Sequence, residues 1–160
     1  YLEHYFKITV LYYNPNIEPI EEYLKRKEEQ INFIKKVHPD INVYDVDYEN
    51  NKYHDTVLGH ENDKEGGSRC YKCYKLRMEK CASIASNKFE YFGTTLTVSP
   101  HKNATYVNEI GKELEKKYNS KFLISDFKKN EGYKRSIVLS KEYNLYRQDY
   151  CGCIYSKRND

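Results

Sequence analysis

Tryptophan is absent from this 160-residue chain, and no apolar run approaches the roughly 20 residues that a bilayer-spanning helix requires. The first residues do not read as a signal peptide. Internal repeats, low-complexity stretches and linker-like composition shifts are lacking too. What remains is the pattern of one domain over residues 1–160, long enough to bury a core. With 39% hydrophobic and 32% charged residues, the expectation is a soluble protein with a well-solvated surface and no membrane partner. Eighteen tyrosines stand beside the missing tryptophan. They fit nucleic-acid stacking and a plain compositional bias equally well.

An even cysteine count is lacking as well. There are five, in a domain too large to need disulfide staples. That pattern points to functional thiols in a reducing compartment, with the cytoplasm expected. Four of the five form two close pairs. Cys70-x-x-Cys73 follows Gly66-Gly67-Ser68-Arg69 at the predicted entry of a helix. Residues i and i+3 there share a face, with Cβ atoms about 5–6 Å apart, so both sulfurs can reach one metal or one cluster. The helix N-terminus and Arg69 favour thiolates, and Gly66-Gly67 lets backbone approach whatever is bound. Zinc, an iron–sulfur cluster and a merely packed pair all remain open. Cys81 would lie about 16 Å further along the same helix, too far to share a ligand, and reads as a core cysteine.

Cys151-Gly152-Cys153 is a different device. Its sulfurs cannot share one helical face, but Gly152 permits the bend that lets them meet in a strained, easily reduced disulfide. A redox-active dithiol, metal ligation and an inert pair are the alternatives.

The net charge of +3 is unevenly placed. Residues 126–158 hold eight Lys/Arg against four Asp/Glu. A basic C-terminal third suits a phosphate-bearing partner, or simply a lysine-rich solvated surface. The residues that could touch phosphates are His101, Lys102, Lys128, Lys129, Lys134 and Arg135, with capping and surface charge as the alternative. Asp126, beside them, could orient these bases or bind a second metal.

Periodicity predicts alternating strands and helices. Strands are expected over 7–13, 41–46, 91–98 and 122–125, and helices over 20–37, 48–58, 70–87, 104–117 and 134–143, with a polar loop at 59–67. The helix at 20–37 is expected to bury Ile20, Leu24, Ile31 and Ile34. Such alternation implies an α/β fold, a mainly parallel sheet with helices on both faces. The opening Tyr1-Leu2-Glu3-His4-Tyr5-Phe6 reads as a helix end running into a strand, so a further strand is expected before it. Sites in these folds lie at the carboxyl ends of strands. Three polar clusters fall there: Asn14-Pro15-Asn16, Ser99-Pro100-His101-Lys102-Asn103 and Ser125-Asp126-Phe127-Lys128-Lys129, expected at one edge of one sheet.

Taken in order, Tyr13-Asn14-Pro15-Asn16-Ile17, the block from Gly66 through Arg77, the block from Thr94 through Asn103, Ser125-Asp126-Phe127-Lys128-Lys129, Gly132-Tyr133-Lys134-Arg135-Ser136 and the block from Leu145 through Cys153 closely resemble the QueH-type epoxyqueuosine reductases. The resemblance covers nearly the whole chain. It implies a Rossmann-like sheet related to the adenine-nucleotide α-hydrolase superfamily, in which the N-terminal strand would precede Tyr1. It implies the last step of queuosine biosynthesis: two-electron removal of the epoxide oxygen of epoxyqueuosine at the tRNA wobble position.

Carried onto these residues, the resemblance makes Cys70 and Cys73 two ligands of a 4Fe–4S cluster. The family's other two ligands are adjacent cysteines that would lie upstream of Tyr1. Cys151 and Cys153 become the redox-active disulfide pair. Asp126, beside the basic residues, is a further catalytic candidate from the residues themselves. An additional iron ion, the anticodon stem-loop of tRNA and a physiological electron donor are the further partners the resemblance implies. Two rivals stand beside it: a zinc-stabilised RNA-binding domain with Cys70, Cys73, Cys151 and Cys153 as a four-thiolate site, and an ATP-dependent tRNA-modifying enzyme of the same superfold, whose Ser-Gly-Gly-x-Asp-Ser phosphate loop is not among these residues.

Overall fold

Between Lys7 and Asn14 the β-branched and aromatic run forms strand β1, Thr9–Leu11. A computed structural model describes residues 1–157. In it the chain packs as two compact units, one comprising Tyr1–Asn50 with the residues from Tyr146 onward, the other Asn51–Leu145.

In the first unit, helix α1 (Ile20–Val37) carries the chain from β1 to strand β2 (Asn42–Tyr44). The strands pair in parallel with Val10 opposite Val43. Glu21 and Glu22 in the first turn of α1, and Lys35 and Lys36 in the last, complement the helix dipole. His38 ends the helix with its backbone N–H on Ile34 O at 2.8 Å. The buried face of α1 differs from expectation. Ile20 and Leu24 are about half exposed, while Tyr23, Arg26 and Ile34 are buried. Tyr23 is drawn in by aromatic neighbours, with ring centroids 5.6 Å from Tyr12 and 4.1 Å from Tyr48. Arg26 is drawn in by carbonyl and carboxylate partners, described below.

The second unit holds α2 (Asn50–Val57), α3 (Ser68–Ala85), β3 (Tyr91–Phe92), α4 (Ala104–Lys117), β4 (Lys121–Phe122) and α5 (Gly132–Glu142). Strands β3 and β4 are parallel, with Phe92 opposite Phe122. The core is one stripe of α3 (Cys70, Tyr74, Met78, Ala82, Ala85) against Val107, Ile110 and Leu114 of α4 and the two phenylalanines. Its spacing is that of a single helical face. Gly111 lets α4 lie directly on Phe122, since a Cβ there would sit 2.3 Å from the ring.

The α/β class with parallel strands is as expected, but the single sheet is not. Among the described residues the strands form two separate two-stranded sheets, one in each unit. The strand expected over 91–98 also stops at Phe92, and Leu96–Val98 is a 3-10 turn. Thr94 Oγ1 accepts from Leu96 N at 3.2 Å, and the buried Thr97 hydroxyl meets Ser125 Oγ at 3.2 Å. These side-chain bonds replace ladder bonds, which is how threonines that look strand-forming in sequence terminate a strand. Among the described residues no helix is long and apolar enough to cross a membrane.

Candidate functional site

Cys70 and Cys73 sit in the first two turns of α3, both thiols buried, with 8% and 7% of their surface exposed. The loop ahead of them is tied down by Arg69. Its buried guanidinium donates from Nη1 to the carbonyls of His60 (3.3 Å), Glu61 (3.0 Å) and Asp63. Asp63 answers by accepting the Arg69 backbone N–H at 3.1 Å and by pairing with His60 Nδ1 at 2.8 Å. The His60 imidazole beside Asp63 holds that carboxyl below the usual range. Through these bonds the Arg69 guanidinium shapes the loop.

That loop then presents Gly66 N to Cys70 Sγ at 3.2 Å, a bond that a positive φ of +87° at Gly66 makes possible. Two buried thiols on one helix face, one of them accepting a backbone N–H, form a two-sulfur donor set. They fit as two of the four sulfurs that a 4Fe–4S cluster takes. Among the described residues no three His, Cys, Asp or Glu side chains converge as metal ligands. Cys81 packs against the core with its Sγ 3.8 Å from Gly93 O, and burial pushes its thiol pKa up, in keeping with a core cysteine.

Two of the three polar clusters do come together, both in the second unit. Thr97 O accepts from Lys128 N at 3.0 Å and Thr97 Oγ1 from Phe127 N at 3.1 Å, which fastens the 3-10 turn to the loop after β4. Lys128 Nζ lies 3.4 Å from Lys102 O and 3.0 Å from Asp126 Oδ1, and Lys129 Nζ lies 3.8 Å from Asp126 Oδ2. Lys102 Nζ stands over the ring of Tyr74, next in sequence to Cys73, at 5.4 Å. Asp126 thus pairs with two lysines, as the orienting role expects. His101 and Arg135 are exposed, and Lys134 pairs with Glu131 at 2.8 Å. The third cluster, Asn14-Pro15-Asn16, follows β1 in the first unit, on the other sheet.

The Cys151-Gly152-Cys153 segment belongs to that first unit and is held from α1. Arg26 donates Nη1 to Cys151 O and Nη2 to Tyr150 O, each at 3.1 Å, and Nε to Glu22 at 2.6 Å. Burial would raise the Glu22 pKa, but hydrogen bonds from Arg26 and Tyr146 outweigh it and hold that carboxyl below the usual range. Gly152 O accepts from Glu18 N at 2.9 Å. Its φ is +107°, and a Cβ there would lie 2.7 Å from Ile17 Cγ1. Tyr150 OH donates to Glu18 O at 2.5 Å, closing the segment against residues 17–18. Burial pushes the Tyr150 phenol up, and that of nearby Tyr48 to about 12, so both remain hydrogen-bond donors at neutral pH.

Cys153 is buried and Cys151 half-buried, and both are thiols. Beside them opens a cleft of about 450 Å3, lined by Glu18, Pro19, Ile20, Tyr48, Asn50, Ile154 and Lys157. Arg26 is a residue that sequence reasoning missed: it belongs to no motif and sits in a helix whose apolar positions suggested a different face.

A small α/β protein with one thiol pair at a helix N-terminus and another in a clamped glycine turn has the parts of a thiol-dependent redox or metal protein. The chain belongs to the epoxyqueuosine reductase QueH family, whose family model matches residues 1–159. It is 41% identical over 163 residues to the epoxyqueuosine reductase QueH of Streptococcus pyogenes serotype M1, covering 99% of this chain and 64% of that protein. It is 39% identical to that of Staphylococcus epidermidis, with 98% and 68% covered, and 40% identical to that of Thermotoga maritima, with 91% and 77% covered. The chain thus spans about two thirds of the length of these relatives.

Proposed function

We propose that this chain is the reducing domain of an epoxyqueuosine reductase, acting on epoxyqueuosine at the wobble position of tRNA to give queuosine. The observation that carries the reading is the family match over residues 1–159, within which both cysteine pairs fall. The reaction opens the epoxide. Both carbon–oxygen bonds break, an alkene forms, and the oxygen leaves as water after taking up two electrons and two protons. The Cys151/Cys153 dithiol can supply or relay that pair of electrons and the two protons as it closes to a disulfide. A separate physiological donor then reduces the disulfide. The cytoplasm, where tRNA and thiol reductants coexist, is the compartment this requires.

Cys70 and Cys73 would provide two of the ligands of a 4Fe–4S cluster, which when bound supplies electron transfer and, with an additional iron, Lewis acidity toward oxygen. Gly66 N steadies the Cys70 sulfur, and Arg69 keeps the loop that presents that amide in place. Arg26 fixes the backbone of the dithiol turn through the carbonyls of Tyr150 and Cys151. Lys102, Lys128 and Lys129, with His101, Lys134 and Arg135, are suited to hold anticodon-loop phosphates. Asp126 sets the direction of two of these lysines. Exposed Tyr106, near Lys102 in sequence and edge-on to Tyr71 at 5.6 Å, offers a face for an unstacked base.

The test is anaerobic incubation of the protein, in its full natural length and loaded with iron and sulfide, with tRNA carrying epoxyqueuosine and a chemical reductant. Nucleoside mass spectrometry should find the modified base one oxygen atom lighter. Unchanged epoxyqueuosine with iron-loaded protein would exclude the reading.

A further inference from the structure

Ser156, three residues past the dithiol turn, has one hydroxyl proton and two acceptors for it. Its Oγ lies 2.8 Å from Cys151 Sγ and 2.9 Å from Cys153 O. The Cys153 carbonyl does not depend on that hydroxyl, because Ser156 N also donates to it at 3.0 Å. A second donor approaches the same sulfur: Cys153 N points at Cys151 Sγ at 3.4 Å. We propose that Ser156 is a positioning residue for the dithiol, and that it makes Cys151 the reactive sulfur of the pair and Cys153 its buried partner.

The proton logic is closed. While Cys151 is a thiol, its S–H donates to Ser156 Oγ and the serine hydroxyl donates to Cys153 O. When Cys151 loses its proton to solvent, the hydroxyl turns about one bond and donates to the thiolate. Cys153 O keeps the Ser156 N–H, so no buried acceptor is stranded. Cys153, 6% exposed, has less access to solvent or reagent than half-buried Cys151. Thiolates are the nucleophiles in alkylation and in thiol–disulfide exchange, so the hydroxyl sets which sulfur reacts first.

This rests on Cys151/Cys153 acting as a redox pair, but it is tested without the tRNA substrate. The reduced protein is treated at neutral pH with substoichiometric iodoacetamide, and each cysteine is scored by peptide mass spectrometry. Cys151 should be alkylated ahead of Cys153. Ser156→Ala should slow alkylation of Cys151 about tenfold, the worth of one hydrogen bond to a charged sulfur, while Ser156→Thr keeps a hydroxyl and should stay within about threefold of wild type. Urea unfolding of each variant accompanies the measurement, so that a loss of fold is not read as a loss of reactivity. Preferential labelling of Cys153 overturns the proposal. So does an unchanged or faster Cys151 rate in a folded Ser156→Ala protein, or an equal loss in Ser156→Thr. Failure to reduce epoxyqueuosine with this labelling pattern intact would instead count against the proposed activity.

Discussion

Arg26 donates from Nη1 to the carbonyl oxygen of Cys151 at 3.1 Å, joining helix α1 to the dithiol turn across 125 positions of sequence. The same guanidinium holds Tyr150 O and the Glu22 carboxylate and stacks 5.0 Å from the Tyr150 ring. A planar fork with five donors suits three acceptors in different directions, which a lysine cannot match. Arg26→Lys should therefore cost about 2 kcal/mol of stability, and Arg26→Ala more, since the nearly buried Glu22 would keep only the Tyr146 hydroxyl as a partner. Urea unfolding checks the energies. The rate at which the reduced protein forms the Cys151–Cys153 disulfide should fall in the lysine variant under conditions where it is fully folded.

Gly111 is the test of the second unit's core. On an exposed helix Gly→Ala would gain about 1 kcal/mol of helix propensity. Here the new methyl would lie 2.3 Å from the Phe122 ring, and overpacking of that kind costs about 1–3 kcal/mol. Gly111→Ala should destabilise on balance, by a lowered urea midpoint. A paired Gly111→Ala/Phe122→Leu variant should recover part of the loss.

Acid sensitivity follows from Glu22. Its carboxyl is held below its ordinary pKa of 4.5, the hydrogen bonds from Arg26 and Tyr146 exceeding the opposing effect of burial. A group depressed in the folded state contributes its stability in full above the unfolded value, and that stability fades as pH falls from about 4.5 through the lower folded value. Glu22→Gln should be less stable than wild type at neutral pH. The gap between them should narrow below pH 4.5, as measured by urea midpoints at a series of pH values.

Much of this architecture was open to sequence reasoning, and the reasons differ by element. Helices α1 and α4 begin and end where expected, at Ile20–Val37 and Ala104–Lys117, because each has strong local signals: Pro19 and Asn103 at the start, His38-Pro39 beyond the end of α1. Asn103 Oδ1 indeed caps Tyr106 N at 3.2 Å. The two cysteine pairs were legible because spacing alone sets them apart. Strand extents were not, since Thr94 and Thr97 satisfy a β-pattern while their hydroxyls bond locally and to Ser125. The buried face of α1 was hidden for a related reason. An arginine counts as polar in any periodicity, yet Arg26 is buried because Tyr150 and Cys151, far along the chain, supply its acceptors. Ser156 carries no local signal, since what matters is its distance to a sulfur five residues back.

The basic cluster makes a quantitative prediction for nucleic acid. Lys102→Gln and Arg135→Gln should each weaken binding of an anticodon stem-loop at about 0.1 M salt. If each side chain contacts one phosphate, each change should lower the slope of log affinity against log salt by about 0.7–0.9. Asp126→Asn should act differently, loosening Lys128 and Lys129 while adding no charge repulsion, with a smaller loss of affinity than either direct contact. Filter binding across a salt series separates the two effects.

The measurement that tests the central claim most directly is a single-turnover experiment on the full-length, iron-loaded protein. Its cysteines are reduced, excess reductant is removed, and tRNA carrying epoxyqueuosine is added without any other donor. The account predicts queuosine in the tRNA together with a disulfide between Cys151 and Cys153 in the peptide map, and little product from Cys151→Ser or Cys153→Ser. Product formed in full by both serine variants, or with the Cys151/Cys153 pair still reduced in wild type, would contradict it.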